Sequence, residues 1–337
     1  MAGARWRQFI ERRDDSSIFH TAGWLEAIRR TYGYRPVVFT SSRPDEELKN
    51  GFLFCEISTW LSGRRLVSVP FSDHTALLAD DPDSIPVLLS TLKQKIEQKF
   101  YRYIEIRPTS QQSSIGFGLG KAEVFYWHKL GLSQTQETLY RSFHKDCVQR
   151  KISRAERENL AYEEGRSEKL IKQFYELQLL TRRRHGLPPQ PLSWFRHLAD
   201  CLGDRMKIRV SSVNGIPIAS IITMTYKKCM TYKYGCSDPK YHRLGGTIFL
   251  LWRAIQEAKR DRLEEFDMGR SDLDNPGLIS FKEHWGAERS ELVYWAYPPN
   301  LRPDVNRWGL RAAKSIFSRM PSALLPAMGR LLYRHMG

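Results

Sequence analysis

Gly245 and Gly246 stand side by side between Arg243 and Thr247, where a polar loop passes into an apolar-rich run. Two glycines at a helix start let backbone N–H groups approach an anion, and the helix dipole favours negative charge there. Arg243 would add a charge-assisted hydrogen bond. This arrangement suits the diphosphate of coenzyme A or the phosphates of a tRNA end; a plain turn and cap is an equal reading. A second stretch, FDMGRSDLDNPGLISFKEHW (266–285), gathers Arg270, Asp272 and Asp274, then sets Lys282 between Phe281 and Trp285. The three charges fit a solvated turn as well as a ligand loop. The two aromatics, at i and i+4, would hold Lys282 at a fixed height.

Three further stretches carry reactive groups. In RSFHKDCVQRKISRAER (141–157), Arg150, Arg154 and Arg157 recur at helical spacing and could clamp a phosphate or form a solvated face. In TRRRHGLPPQP (181–191), Arg184 and His185 close a helix that Gly186 should stop, with substrate contact as the functional alternative. In PFSDHT (70–75), Asp73 and His74 are candidates for a general base near a substrate amine. Tyr241 could protonate a leaving group or simply pack.

The elements that must position these residues follow a repeated order. Strands are expected at 35–41, 52–60 and 65–69, then a helix over 87–99 with Leu88, Leu89, Leu92 and Ile96 on one face, then a strand at 103–107. The second half has strands at 206–213 and 216–226 joined by Asn214-Gly215, a third at 229–235, a helix over 246–260 and a strand at 263–268. Two copies of one β-β-β-loop-α-β module are expected. Between them, 133–203 reads as helical, with Ser133 and Gln136 as a capping box and Leu139, Phe143, Cys147 and Ile152 as a buried stripe. Helices are expected over 168–184 and 192–202.

The 337 residues suffice for two cored domains. Hydrophobic residues at 41% exclude a wholly disordered chain. No apolar run approaches the roughly 18 residues of a membrane-spanning helix, and the charged first 15 residues argue against export. Five scattered cysteines without CxxC, and histidines without HExxH, predict neither disulfides nor a metal site. Charge is uneven. Residues 1–140 carry 18 Lys and Arg against 16 Asp and Glu, residues 141–300 carry 28 against 20, and residues 301–337 carry 7 against 1. The excess points to polyanionic partners of the middle and tail. In the tail, Trp308, Ala312, Ile316 and Met320 form an apolar stripe opposite basic residues, the pattern of an interfacial helix; docking on the protein's own first module is the alternative.

The motifs FHTAGWLEAIRRTYGY (19–34), FHKDCVQRKISRAER (143–157), TRRRHGLP (181–188), YGCSDPKYHRLGGTIFLLWRAI (234–255) and FDMGRSDLDNPGLISFKEHWGAE (266–288) resemble FemAB-like proteins of the GNAT superfamily, nearest the branch associated with exopolysaccharide and exosortase loci. The resemblance implies an α/β (α+β) fold of two GNAT-like modules, in agreement with the repeat; the modules are expected at 1–140 and 141–300, ahead of the basic amphipathic tail, 301–337. It implies transfer of an acyl or aminoacyl group to an amine. Phe281-Lys282 is similar to the family's aromatic-Lys motif, and Arg150, Lys151 and Arg154 match its basic helix. The acetyl-CoA loop of ordinary GNAT enzymes is only partly present, as Arg243-Leu-Gly-Gly-Thr. Acyl-CoA or aminoacyl-tRNA is the expected co-substrate, with no tightly bound cofactor. Lys282 is assigned to charge stabilisation, and backbone N–H groups of a splayed strand near residues 234–236 to the oxyanion. The expected acceptor is a phosphorylated or lipid-linked envelope or polysaccharide precursor at the inner face of the cytoplasmic membrane. An anionic membrane surface is the expected partner of 302–337, tRNA a further candidate, and DNA none. The competing class is a non-catalytic double-GNAT module holding a lipid-linked glycan or RNA.

Overall fold

The computed structural model describes residues 3–59, 63–112, 118–299, 317 and 324–335. They divide into two units. The first holds the described residues of 3–126 with 290–299 and 333–335; the second holds 127–289, 317 and 324–332. The boundary expected at 140 therefore lies at 126, and 290–299 belongs to the first unit rather than the second. The reason is a strand, since Trp295, Ala296 and Tyr297 pair with Ile106, Glu105 and Ile104.

The first unit begins with α1 (Ala4–Glu11) and α2 (Ala22–Tyr32). Thr21 caps α2 by accepting from Trp24 N, and Gly33, left-handed at φ +74°, ends it. Strands β1 (Arg35–Phe39), β2 (Asn50–Thr59) and β3 (Gly63–Val67) pair antiparallel, and β4 (Leu78–Ala79) adds to the start of β2. Helix α3 (Ser84–Glu97) leads to β5 (Ile104–Ile106), which lies parallel to β3. The expected stripe Leu88, Leu89, Leu92 and Ile96 is buried against Phe52, Phe54 and Leu66. Each such side chain contributes roughly 1.5–3 kcal/mol when removed from water. Strand β6 (Gly120–Gly131) ends this unit after Tyr126.

The second unit continues through α4 (Gln136–Ser142), a π-type turn (Lys145–Gln149), α5 (Arg150–Arg157), β7 (Ala161–Gly165), α6 (Glu168–His185) and α7 (Leu192–Leu202). Strands β8 (Met206–Val213), β9 (Ile216–Tyr226) and β10 (Cys229–Ser237) run antiparallel. Helix α8 (Gly246–Arg260) then leads to β11 (Glu265–Asp272), parallel to β10. This is the pairing of β1, β2, β3, α3 and β5 again, so the duplicated module read from the sequence is present. Helix α9 (Pro276–Glu283) follows, and β12 (Glu288–Tyr297) belongs to the first unit from residue 290 on.

The expected capping box at Ser133 is not formed. Thr135 caps α4 instead, accepting from Thr138 N at 3.2 Å. The stripe Leu139, Phe143, Cys147, Ile152 is not one helix either. The π-type turn breaks it and leaves Cys147 half-buried while Leu139, Phe143 and Ile152 enter the core.

The tail helix expected over 308–320 lies outside the described residues except for Phe317, which is buried. A later helix, α10 (Leu325–Tyr333), packs Gly329 so closely on the loop after α6 that a Cβ there would lie 1.9 Å from the Pro189 carbonyl oxygen. In the first unit, the Tyr34 hydroxyl donates to the carbonyls of Tyr333 and Arg334. No helix among the described residues is long and apolar enough to cross a membrane.

Candidate active site

Strand β10 follows β9 along its whole length but stays with β11 only from Cys229 to Thr231. Beyond that a register shift between Tyr232 and Tyr234 kinks it. The residues past the kink keep β9 and leave the β11 ladder; at the far end Ser237 N is taken by Thr181 Oγ1 at 3.1 Å, so the part of this edge that can turn an N–H toward a ligand lies before it, around Gly235. The expected splay near 234–236 is thus seen, beginning at Tyr232. The Tyr232 phenol crosses Gly235, where a Cβ would sit 1.9 Å from its oxygen.

The chain then turns. The Asp238 carboxylate accepts from Lys240 N at 3.0 Å, and the 3-10 turn Pro239–Leu244 ends at Gly245, φ +75°. A Cβ on Gly245 would lie 2.9 Å from the Lys151 carbonyl oxygen. A Cβ on Gly246 would lie 2.7 Å from Ser211 Oγ and 3.1 Å from Ala219 Cβ. The sequence allows approach to an anion or a plain turn and cap for these glycines. The structure shows Gly245 as the left-handed cap and adds a packing reason, because the space a side chain would need is filled by α5 and by the sheet. An anion at this corner would be met by the first-turn amides before Phe249 N, which itself bonds back to the Gly245 carbonyl at 2.9 Å.

Tertiary packing brings the basic residues to the same corner. Arg154 donates to the Arg243 carbonyl at 3.2 Å, and Arg243 and Lys151 are exposed. Arg184, at the end of α6, lies 3.5 Å from His242 Nε2, which shares a 2.9 Å hydrogen bond with Ser237 Oγ. Burial, then the Arg184 charge, hold His242 below the usual imidazole range. Arg150 pairs with Asp146 at 2.7 Å on the open face of α5. Thr247 is half-buried in the first turn of α8. His185 is exposed at the end of α6, where Gly186 at φ +63° stops the helix as expected. Tyr241 packs its ring against the core of the second unit.

Lys282 is 2% exposed, and its Nζ donates to the carbonyls of Gly269 and Arg270, each at 2.8 Å. The ammonium thus clamps the end of β11, which bends at Gly269, φ +70°. Asp267 supports the bend by accepting from Gly269 N and Trp127 Nε1, both at 2.7 Å. Trp285 is fully buried with its ring edge-on to Phe143 at 5.0 Å, and half-buried Phe281 packs on the same cluster. The aromatics therefore anchor the lysine as expected. Arg270 is half-buried; Asp272 is exposed, its carbonyl accepting from Asn275 N.

His128 on β6 was not foreseen, since a lone histidine on a strand has no distinguishing spacing. It is fully buried, and neither ring nitrogen has a hydrogen-bond partner among the described residues. Burial, with the charges of Lys282 and Arg289, lowers its pKa to about 4, so it is neutral at pH 7.

Asp73 and His74 belong to the first unit. Both are buried; the Asp73 carbonyl accepts from the Tyr294 hydroxyl, and the His74 ring lies edge-on to Phe19 at 5.4 Å. Their loop contains Val69 and Phe71 in the left-handed region, φ +43° and +66°.

Residues 142–282 match the family model described as an acetyltransferase (GNAT) domain. No curated protein matches the chain by sequence. Among solved structures, FemX superposes with a TM-score of 0.71 at 14% identity, covering 93% of this chain and 99% of FemX. L-PGS from Bacillus licheniformis gives 0.53 at 16% identity, covering 94% and 95%. A tandem GNAT protein from the clavulanic acid biosynthesis pathway gives 0.50 at 11% identity, covering 75% and 80%. The FemAB-like resemblance read from the motifs is thus borne out in the fold, and residues 142–282 match a GNAT acetyltransferase domain.

Proposed function

We propose that the protein transfers an acyl or aminoacyl group from an activated donor, acyl-CoA or aminoacyl-tRNA, to an amine of a cell-envelope or exopolysaccharide precursor. The observation that carries this reading is the kinked β10 beside a basic helix start, within the segment that matches the GNAT domain. The donor phosphates meet the first turn of α8 with Arg243, Arg154 and Lys151. The carbonyl lies along the free edge of β10, where backbone N–H groups near residues 234–236 stabilise the oxyanion. The neutral amine attacks the carbonyl carbon, the tetrahedral adduct collapses, and the thiol or ribose hydroxyl leaves with a proton. Lys282 fixes the β11 end that borders this edge. FemX and L-PGS, the structural neighbours named above, share the fold on which this reading is built.

On this reading the basic tail would hold the reaction at an anionic membrane surface. Exposed Leu324, Arg330 and Leu331 would face the lipid, while Leu325 and Gly329 pack inward. Residues 302–323, apart from Phe317, lie outside the described residues. Sedimentation with anionic and neutral liposomes checks this; equal binding to both removes the electrostatic attachment.

The decisive experiment supplies the full chain with radiolabelled acyl-CoA or aminoacyl-tRNA and a lipid-linked precursor extract. Label should move to precursor from one donor class. No transfer from either class, with donor bound, would return the protein to a binding module.

A further inference from the structure

We propose that His144, Cys147 and His284 form a binding site for a borderline-soft divalent ion of the zinc class. One potential ligand atom from each of the three lies within 4.8 Å of the other two. The two imidazole rings have centroids 4.4 Å apart. Their backbones are tied directly, since His144 N donates to the His284 carbonyl at 2.8 Å. Next to them Phe143 and Trp285 are locked together in the core. The two histidine positions therefore sit on a rigid base.

Cys147 reaches the pair through the π-type turn Lys145–Gln149. His144 caps that turn, its Nδ1 accepting from Asp146 N and Cys147 N at 3.2 Å each. The turn folds the thiol back toward the ring that caps it. Such turns interrupt helices often at functional positions. A continuous helix over 139–152 would have sent Cys147 into the apolar stripe; the turn leaves it half-buried and His144 exposed.

The donor set decides the ion class. Two imidazoles and a thiolate suit Zn2+ or Co2+, whereas Mg2+ and Ca2+ require oxygen ligands. The carboxylates that flank the ligands in sequence are engaged elsewhere, Asp146 with Arg150 at 2.7 Å and Glu283 with Arg289 at 3.1 Å. Three protein ligands leave a fourth position for water. Ser280 Oγ, 3.3 Å from His284 Nε2, is the kind of partner that orients a ligating imidazole. On binding, the Cys147 thiol loses its proton to solvent as the sulfur–metal bond forms. His144 offers Nε2 by moving its proton to Nδ1, which gives up the cap. The ion thereby joins the end of α9, two residues after Lys282, to the lead-in of the basic helix α5.

The test uses the full-length protein, reduced and metal-free, titrated with Co2+. One equivalent should bind with a thiolate-to-cobalt charge-transfer band in the near ultraviolet, displaced by Zn2+. Zn2+ should raise the thermal midpoint and Mg2+ should not. Cys147→Ser, a small change at a half-buried position, should abolish the band, and Cys201→Ser should leave it. His284→Gln should weaken Zn2+ at least tenfold. No band in the wild type, a band that survives Cys147→Ser, or an equal midpoint shift from Mg2+ would each overturn the site.

Discussion

The two units share a frame and differ at the helix that follows their third strand. In the second unit, α8 opens at Gly245-Gly246 with Lys151, Arg154 and Arg243 around it. In the first, α3 opens behind Asp80, Asp81 and Asp83, and Arg12 and Arg13 pair with Asp80. An anion at the start of α3 would face carboxylates; at the start of α8 it would face cations. The strands differ too. Past Thr231, β10 runs on to Ser237 without β11. In the first unit β3 stops at Val67, and the loop after it bonds to the neighbouring strand segment: Ser68 N to the Glu105 carbonyl at 2.8 Å and Thr75 N to that of Arg107 at 2.6 Å. Asp73 and His74 lie in this loop. One copy of the module separates its third strand from the next and closes only the far end, through Thr181 Oγ1 on Ser237 N, beside a cationic helix start; the other closes the edge with its own backbone. The same topology therefore does not give the same chemistry.

The sharpest test of that contrast is Lys282→Met. Two buried carbonyls lose a charged donor, which should cost about 3 kcal/mol in a denaturant melt and abolish transfer. A variant as stable as wild type would show that the clamp on β11 contributes nothing. Next is Gly246→Val, which drives a side chain into Ser211 and Ala219 and should cost about 2–3 kcal/mol. Its counterpart Ser84→Ala at the start of α3 should stay within about 0.5 kcal/mol. Comparable losses would mean the two helix starts are packed alike. Because Gly246 is a packing position, loss of donor binding in the valine variant would not by itself reveal an anion site.

Acid should loosen both units. His20 and His128 have pKa values lowered to about 4, chiefly by burial. The unfolded chain takes up their protons near pH 6.5 while the folded chain does not, so their contribution is complete above pH 6.5 and falls between 6.5 and 4. The loss is at most about 1.4 kcal/mol per pH unit per group. In the first unit, His20 engages Ser17 N through Nδ1 and the Ala76 carbonyl through Nε2. Replacing it with Leu should destabilise, whereas His128→Leu should be neutral or stabilising and should flatten the acid response. Calorimetry from pH 7.5 to 4.5 separates these outcomes.

Smaller effects concern binding and turnover. Arg154→Ala with Arg243→Ala should weaken a phosphate-bearing donor roughly tenfold at low salt and less at high salt. Asp80→Asn with Asp83→Asn should leave it unchanged; a matching loss there would place donor binding in both units. Smallest should be Asp73→Asn or His74→Asn, with kcat reduced by less than about threefold. A loss of about a hundredfold or more, the scale of general-base catalysis, would move the proton-accepting group into the first unit.

Periodicity and turn chemistry were enough for the repeated module, because strand alternation, Asn214-Gly215 and the α3 stripe depend on near neighbours in sequence. Gly186 and the aromatic anchors of Lys282 were legible for the same reason. Other features depend on contacts between residues far apart. The packing role of Gly245 and Gly246 was not legible, because Lys151 and Ser211 fill the space a Cβ would need and neither is near them in the chain. The Lys282 clamp, the buried His128 and the meeting of His144 with His284 arise only when α9 and β6 are brought to the core. Assignment of 290–299 to the first unit is likewise a matter of strand pairing, which short-range pattern does not encode. Local sequence determined which elements form and which faces they bury; tertiary packing decided which glycines are space and which charges meet, because side-chain neighbours in a sheet-centred fold come from distant segments.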